Sequence, residues 1–257
     1  MKHKFAIQLF TLRQQCEKDM PGTLRELKRM GWAGVETAGL HGYSAEEIAE
    51  TLRETGLKTA GMHVSLERLR DETDSVMKEA KLLNTNYLIC PSVPHEWRNE
   101  WGYERLRAEL NAIAAKVQPE GFAVGFHNHA FEFDTRVSDT DALTYVLEPS
   151  PDNAVLAEID VYWITKAGKD PTTFLHPYSG RAPTLHLKDM TRDERRTYAE
   201  IGTGAIDFVP ILRWGESNGV EWYVVEQDQC EGDALDSARI SLANLYELAD
   251  RERDLSD

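Results

Sequence analysis

The feature that most constrains this chain is an end-to-end alternation of short apolar runs, rich in β-branched and aromatic residues, with segments patterned for helices. Strand-helix-strand order buries its apolar faces when the strands lie parallel and the helices pack over them. Eight such units can be traced. Strands are expected over residues 5–9, 34–37, 59–64, 87–90, 123–127, 155–160, 184–187 and 222–226. Leu24, Leu27 and Met30 share one helical face before Gly31, and Ser44 with Glu47 has capping-box spacing ahead of Ile48 and Leu52, with Gly56 as the stop. A third helix is expected over 74–83. Leu106, Leu110, Ile113 and Val117 mark the most regular amphipathic segment. Further helices are expected near 141–147, after Asp207 until Asn218-Gly219, and around Ala238, Leu242 and Leu245; the one after the sixth strand is weakly patterned, and 251–257 reads as a solvated helix end.

An eight-fold α/β barrel takes roughly 250 residues, so all 257 residues are expected to form one (β/α)₈ domain spanning 1–257. No low-complexity linker or shift of composition interrupts it. A doubly wound open sheet is the competing architecture, but its Gly-x-Gly-x-x-Gly turn is missing after the first strand, and Gly202-Thr203-Gly204 follows no expected strand. The formal charge of −15 repels phosphate backbones and anionic membrane surfaces, so neither nucleic acid nor a membrane is an expected partner. Cys16, Cys90 and Cys230 are an odd number without a C-x-x-C pair, which points to reduced thiols and the cytoplasm. The apolar stretch at 5–10 is too short for a signal sequence. A homo-oligomer is expected only because symmetric self-assembly is common.

Barrels of this kind carry their chemistry at the carboxyl ends of the strands. Here the fifth strand ends in Phe126-His127-Asn128-His129 with Glu132 beyond, the sixth in Glu158-Ile159-Asp160, the seventh in His186-Leu187-Lys188-Asp189, and the eighth in Val225-Glu226-Gln227-Asp228. Side chains two apart share a face, so Glu158 aligns with Asp160, His127 with His129, and His186 with Lys188. A single Asp or His at a strand end is ordinarily a cap or a hydrogen-bonded loop residue. Asp160, His186 and Glu226 on three successive strands are a different matter: they point to a divalent cation. Oxygen and imidazole donors suit Mn, Co, Mg or Zn. His63 ends the third strand as a candidate substrate contact, Trp163 and Tyr162 are candidate pocket walls, and Glu36 and Gln8 rank lower.

In these same residues the chain resembles the sugar phosphate isomerase/epimerase family, the xylose isomerase-like TIM barrels. The resemblance is carried by Ile7-Gln8-Leu9-Phe10, by 126–132, by 158–163, by His186-Leu187-Lys188-Asp189, by 200–204 and by Val225-Glu226. It implies a metal held by Glu, Asp, His and Glu from strands five to eight, the last three matching Asp160, His186 and Glu226. The first ligand departs from the family, because its glutamate falls on Gly125 or Phe126; Glu158 or His127 would supply the fourth bond, or leave it to water. The implied chemistry is isomerisation or epimerisation of a keto-sugar through an enediolate, with Glu226, Glu158, His127 or His129 as base and Lys188 steadying the oxyanion. His63, His127, Glu132 and Trp163 are expected to contact substrate. Loss of a β-hydroxyl from the same enediolate would instead make a dehydratase or lyase of a keto-inositol or 3-keto-glycoside. Two readings from other classes are a barrel that only binds a sugar and, less compatible with the acidic surface, a zinc endonuclease for abasic DNA.

Overall fold

All eight expected strands are present in the computed structural model, which describes residues 1–256; residue 257 of the expected helix end lies outside them. They are β1 (Phe5–Gln8), β2 (Gly34–Ala38), β3 (Lys58–His63), β4 (Tyr87–Cys90), β5 (Ala123–His127), β6 (Leu156–Asp160), β7 (Thr184–Leu187) and β8 (Trp222–Val225). Each pairs in parallel with its sequence neighbours, and β1 also pairs with β8, so the sheet closes into a barrel. Closure leaves no strand edge open, and the covering helices bury the outward faces.

Register decides which side chains meet at the rim. Gln8 lies beside Glu36, Ala38 beside His63, His127 beside Glu158, and Asp160 beside His186. The pairing of β2 with β3 shifts between Val35 and Glu36, an irregularity directly below the rim.

The helices follow their capping chemistry. In α2 (Ala45–Thr55) Ser44 Oγ accepts from Glu47 N at 3.2 Å while Glu47 Oε2 accepts from Ser44 N at 2.8 Å, and Gly56 closes the helix at φ 68°. In α1 (Arg13–Met30) the chain leaves helical geometry at Asp19, whose Oδ1 accepts from Gly22 N at 2.8 Å and restarts the helix through Pro21. The expected third helix is two, α3 (Leu66–Asp71) and α4 (Thr73–Leu83), because Ser65 caps an extra turn from Arg68 N. The weak sixth segment is likewise split, into α7 (Val161–Lys166) and α8 (Pro171–Leu175), with α5 (Glu100–Val117) and α6 (Ala142–Leu147) preceding and α9 (Phe208–Ser217) and α10 (Ala234–Ser256) following. Gly202 does follow a short strand, Tyr198–Ala199, but that strand belongs to a ribbon with Asp189–Met190 outside the barrel. Among the described residues no helix is long and apolar enough to cross a membrane.

Candidate metal centre

The carboxyl ends of the strands surround a cavity of about 580 Å³ whose lining includes Phe10, His63, His127, His129, Lys188 and Glu226. Two overlapping groups of donors lie at its base. In one, single ligand atoms of His127, Asp160, His186 and Glu226 are all within 4.8 Å of one another; in the other the same holds for His63, His127, Glu158 and His186. The three residues singled out on β6, β7 and just past β8 therefore do converge. In the group that holds them the fourth donor is His127, while Glu158 belongs to the other group together with His63, His127 and His186.

Glu158 points inward, as strand alternation requires, but its carboxylate is already claimed. Oε1 meets His63 Nε2 at 2.6 Å, His127 Nδ1 at 3.2 Å and His186 Nε2 at 3.2 Å, and Oε2 accepts from Thr184 Oγ1 at 2.7 Å. Burial alone would raise its pKa, but the positive charge available on His186 and His63 holds it well below the usual carboxylate range. Glu158, like Asp160 and His186, lies beneath the cavity lining, where it is a donor of the group that holds His63, His127 and His186.

Asp160 caps α7, its Oδ1 accepting from Tyr162 N at 2.9 Å and Trp163 N at 3.2 Å. Its other oxygen, Oδ2, is buried and accepts no aligned hydrogen bond, although Lys188 Nζ stands 3.0 Å away as an ion-pair partner. Burial pushes Asp160 up to about 6, with Lys188 pulling the other way. Lys188 is itself fully buried and meets three carboxylates: Asp160 Oδ2 at 3.0 Å, Glu226 Oε2 at 3.0 Å and Asp228 Oδ1 at 2.9 Å. Burial opposes the Glu226 charge as well, yet Lys188 and His186 draw its pKa well below the usual value.

The residues present fit a divalent cation. Glu36, Glu158, Asp160, Glu226 and Asp228 supply five carboxylates against two permanent cations, Lys188 and Arg13, and the buried Asp160 Oδ2 accepts no aligned hydrogen bond. The donor set is hard oxygen plus imidazole, without thiolate, since Cys16, Cys90 and Cys230 lie elsewhere.

The family model described as Xylose isomerase-like TIM barrel matches residues 24–248. The chain belongs to this family. Among the curated relatives, the inosose dehydratase of Clostridium beijerinckii is 26% identical over 51% of this chain and 49% of its own, so the chain spans about half the length of that relative in the match. The inosose dehydratase of Geobacillus kaustophilus is 24% identical over 80% of this chain and 79% of its own. A solved sugar phosphate isomerase/epimerase from Parabacteroides distasonis superimposes with a TM-score of 0.80 at 23% identity, covering 95% of this chain and 98% of that one, a likeness of fold.

Within this xylose isomerase-like barrel several expectations need correction. Glu132, expected at the substrate, lies off the cavity lining: it sits in a short turn, is fully buried, and its Oε2 accepts from the backbone N of His129 at 2.8 Å. Trp163 lies behind His129, ring centroids 5.4 Å apart, and is absent from the cavity lining. His129 does reach the cavity, stacked on Phe131 at 5.0 Å, with a buried Nδ1 that has no partner. Burial and then the Lys188 charge push its pKa down to about 4, so the ring is neutral near pH 7. The residue most underrated in the sequence is Glu36, fully buried, with Oε2 at 2.7 Å from His186 Nε2 and 3.1 Å from His63 Nε2. Its signal was available: an acidic residue inside an otherwise apolar strand has no reason to be there unless something polar meets it.

Proposed function

We propose that this barrel is a divalent-metal-dependent enzyme that removes a proton beside the carbonyl of a keto-polyol and then expels a β-hydroxyl, the reaction of a keto-inositol dehydratase. The observation that carries this reading is the convergence of His127, Asp160, His186 and Glu226 at the base of a cavity walled by His129 and Lys188. When bound there, a divalent ion supplies Lewis-acid polarisation of a carbonyl and its neighbouring hydroxyl, which acidifies the adjacent C–H. The protein residues do the rest. The neutral imidazole of His129, which lines the cavity, takes the proton. Lys188, held in place by three carboxylates, keeps its positive charge next to the oxygen on which negative charge develops. His129 then returns the proton to the departing hydroxyl, which leaves as water, so no oxidant or reductant is needed.

Elimination is favoured over isomerisation by two considerations. The glutamate that the family carries on the fifth strand falls on Gly125 or Phe126 here, and the nearby Glu158 is enclosed by three histidines and Thr184. The curated relatives from Clostridium beijerinckii and Geobacillus kaustophilus both carry the name inosose dehydratase. An isomerase or epimerase would share the first proton transfer and then return a proton to carbon instead of expelling the hydroxyl.

Manganese-loaded protein incubated in deuterated water with an inosose, and separately with a ketose, distinguishes these outcomes by proton NMR. Dehydration of the inosose is expected, falling about 10²- to 10⁴-fold in His129→Gln. Deuterium incorporation or a new epimer without loss of water moves the assignment to isomerase or epimerase. No exchange with either compound leaves a sugar-binding barrel and overturns the proposal.

A further inference from the structure

Glu36 is fully buried on β2 and belongs to neither group of four donors, yet the structure around it is built to hold it. Gln8 on β1 uses its side-chain oxygen to accept from Phe10 N at 3.1 Å, which turns its amide nitrogen toward Glu36 Oε2 at 2.8 Å. On the other side, Gly61 leaves room for the carboxylate: a Cβ there would stand 2.6 Å from Glu36 Oε1. A relay thus runs from β1 through β2 to His186 on β7.

His186 lies between two carboxylates. Nε2 meets Glu36 Oε2 at 2.7 Å and Nδ1 meets Glu226 Oε2 at 3.0 Å. A nitrogen lone pair aimed at a carboxylate oxygen at such a distance is repulsive, so each nitrogen needs a proton or a cation between it and its neighbour. A neutral imidazole has one proton to place. Glu36 and Glu158 both face Nε2, whereas Nδ1 faces only Glu226, which is itself a donor of the group containing Asp160. The proton belongs on Nε2, and the cation on the Nδ1 side.

We infer that Glu36 is a positioning residue: by accepting the Nε2 hydrogen of His186 it presents Nδ1 to the ion and so selects the group His127, Asp160, His186 and Glu226 over the group containing His63 and Glu158. The inference deepens the proposed metal dependence and rests on it. Carboxylates that orient a ligating histidine commonly contribute 10- to 100-fold to metal affinity.

The first experiment needs no substitution. Long-range ¹H–¹⁵N NMR of the zinc-loaded full chain should show His186 protonated at Nε2 and coordinated through Nδ1. Coordination through Nε2, or two zinc ions per chain, would overturn the inference. The second is calorimetric titration with zinc of the wild-type chain, Glu36→Ala and Glu36→Gln. Affinity should fall 10- to 100-fold in Glu36→Ala and recover most of that loss in Glu36→Gln, which keeps an acceptor oxygen. Equal affinity for Glu36→Ala and wild type overturns this inference alone, leaving the metal-based function standing. A wild-type chain that binds no zinc overturns both.

Discussion

Glu132 shows how a residue can look functional in sequence and be structural in place. It follows the histidines at the end of β5 closely enough to suggest substrate contact, but its carboxylate is buried and anchors the backbone that carries His129. Burial pushes its pKa from an ordinary 4.5 up to about 7. The folded state therefore binds this proton more tightly than the unfolded chain does. The resulting stabilisation is fully present below pH 4.5 and is lost as pH rises through 7, an effect of roughly 3 kcal/mol. Glu132→Gln keeps an oxygen for His129 N and removes the titration, so denaturant unfolding should show the variant gaining on wild type between pH 4.5 and 7. Parallel stability curves over that window would contradict the buried, protonatable state of Glu132.

At the scale of an element, one carboxylate gathers four backbone donors of the segment after β7, which Ser241 and Asn244 of α10 also hold at Ile201. Asp189 is buried and accepts from Met190 N at 2.7 Å, Gly202 N at 2.9 Å, Gly204 N at 2.8 Å and Ile206 N at 3.1 Å. The chain approaches so closely that a Cβ at Gly204 would lie 2.4 Å from Asp189 Oδ1. This gives the motif at 200–204 a structural role: its glycines let backbone donors reach Asp189. Leaving several buried N–H groups without an acceptor costs about 1–3 kcal/mol each before relaxation. Asp189→Ala is expected to destabilise the protein by about 3–5 kcal/mol and to raise hydrogen exchange over 198–206 first. Unchanged protection of that segment would show that the clamp is unimportant. The neighbouring Lys188, which is fully enclosed, would be displaced with it.

At the scale of the whole molecule, Asp160 and Glu226 are buried close together at the base of the cavity, and a cation bound there would offset their mutual repulsion. An ion that binds only the folded chain stabilises it by about 2.7 kcal/mol at one hundred times its Kd. For a domain of this size that corresponds to a rise of roughly 5–10 °C in unfolding temperature. Manganese added to chelator-treated protein should produce that shift by calorimetry, and Asp160→Asn, which keeps an oxygen for the backbone donors of α7, should abolish it. An equal shift in the variant would remove Asp160 from the donor set.

The barrel was legible in the order of its segments because each strand and helix announces itself locally, through period, caps and stops such as Ser44, Gly31 and Gly56. The convergence of Asp160, His186 and Glu226 was legible too, since strand ends of a closed barrel share one rim. Which nearby groups complete the site was not. His127 and Glu158 sit side by side in the register of β5 and β6, and both face inward. Only the three-dimensional arrangement shows that His63, Thr184 and His186 enclose Glu158 while His127 bridges it, through Nδ1, to Asp160, through Nε2. Local chemistry along the chain determines the elements and their order. The tertiary structure decides the pairing of buried charges, because that depends on distances between residues as far apart as Glu36 and His186, which no local pattern records.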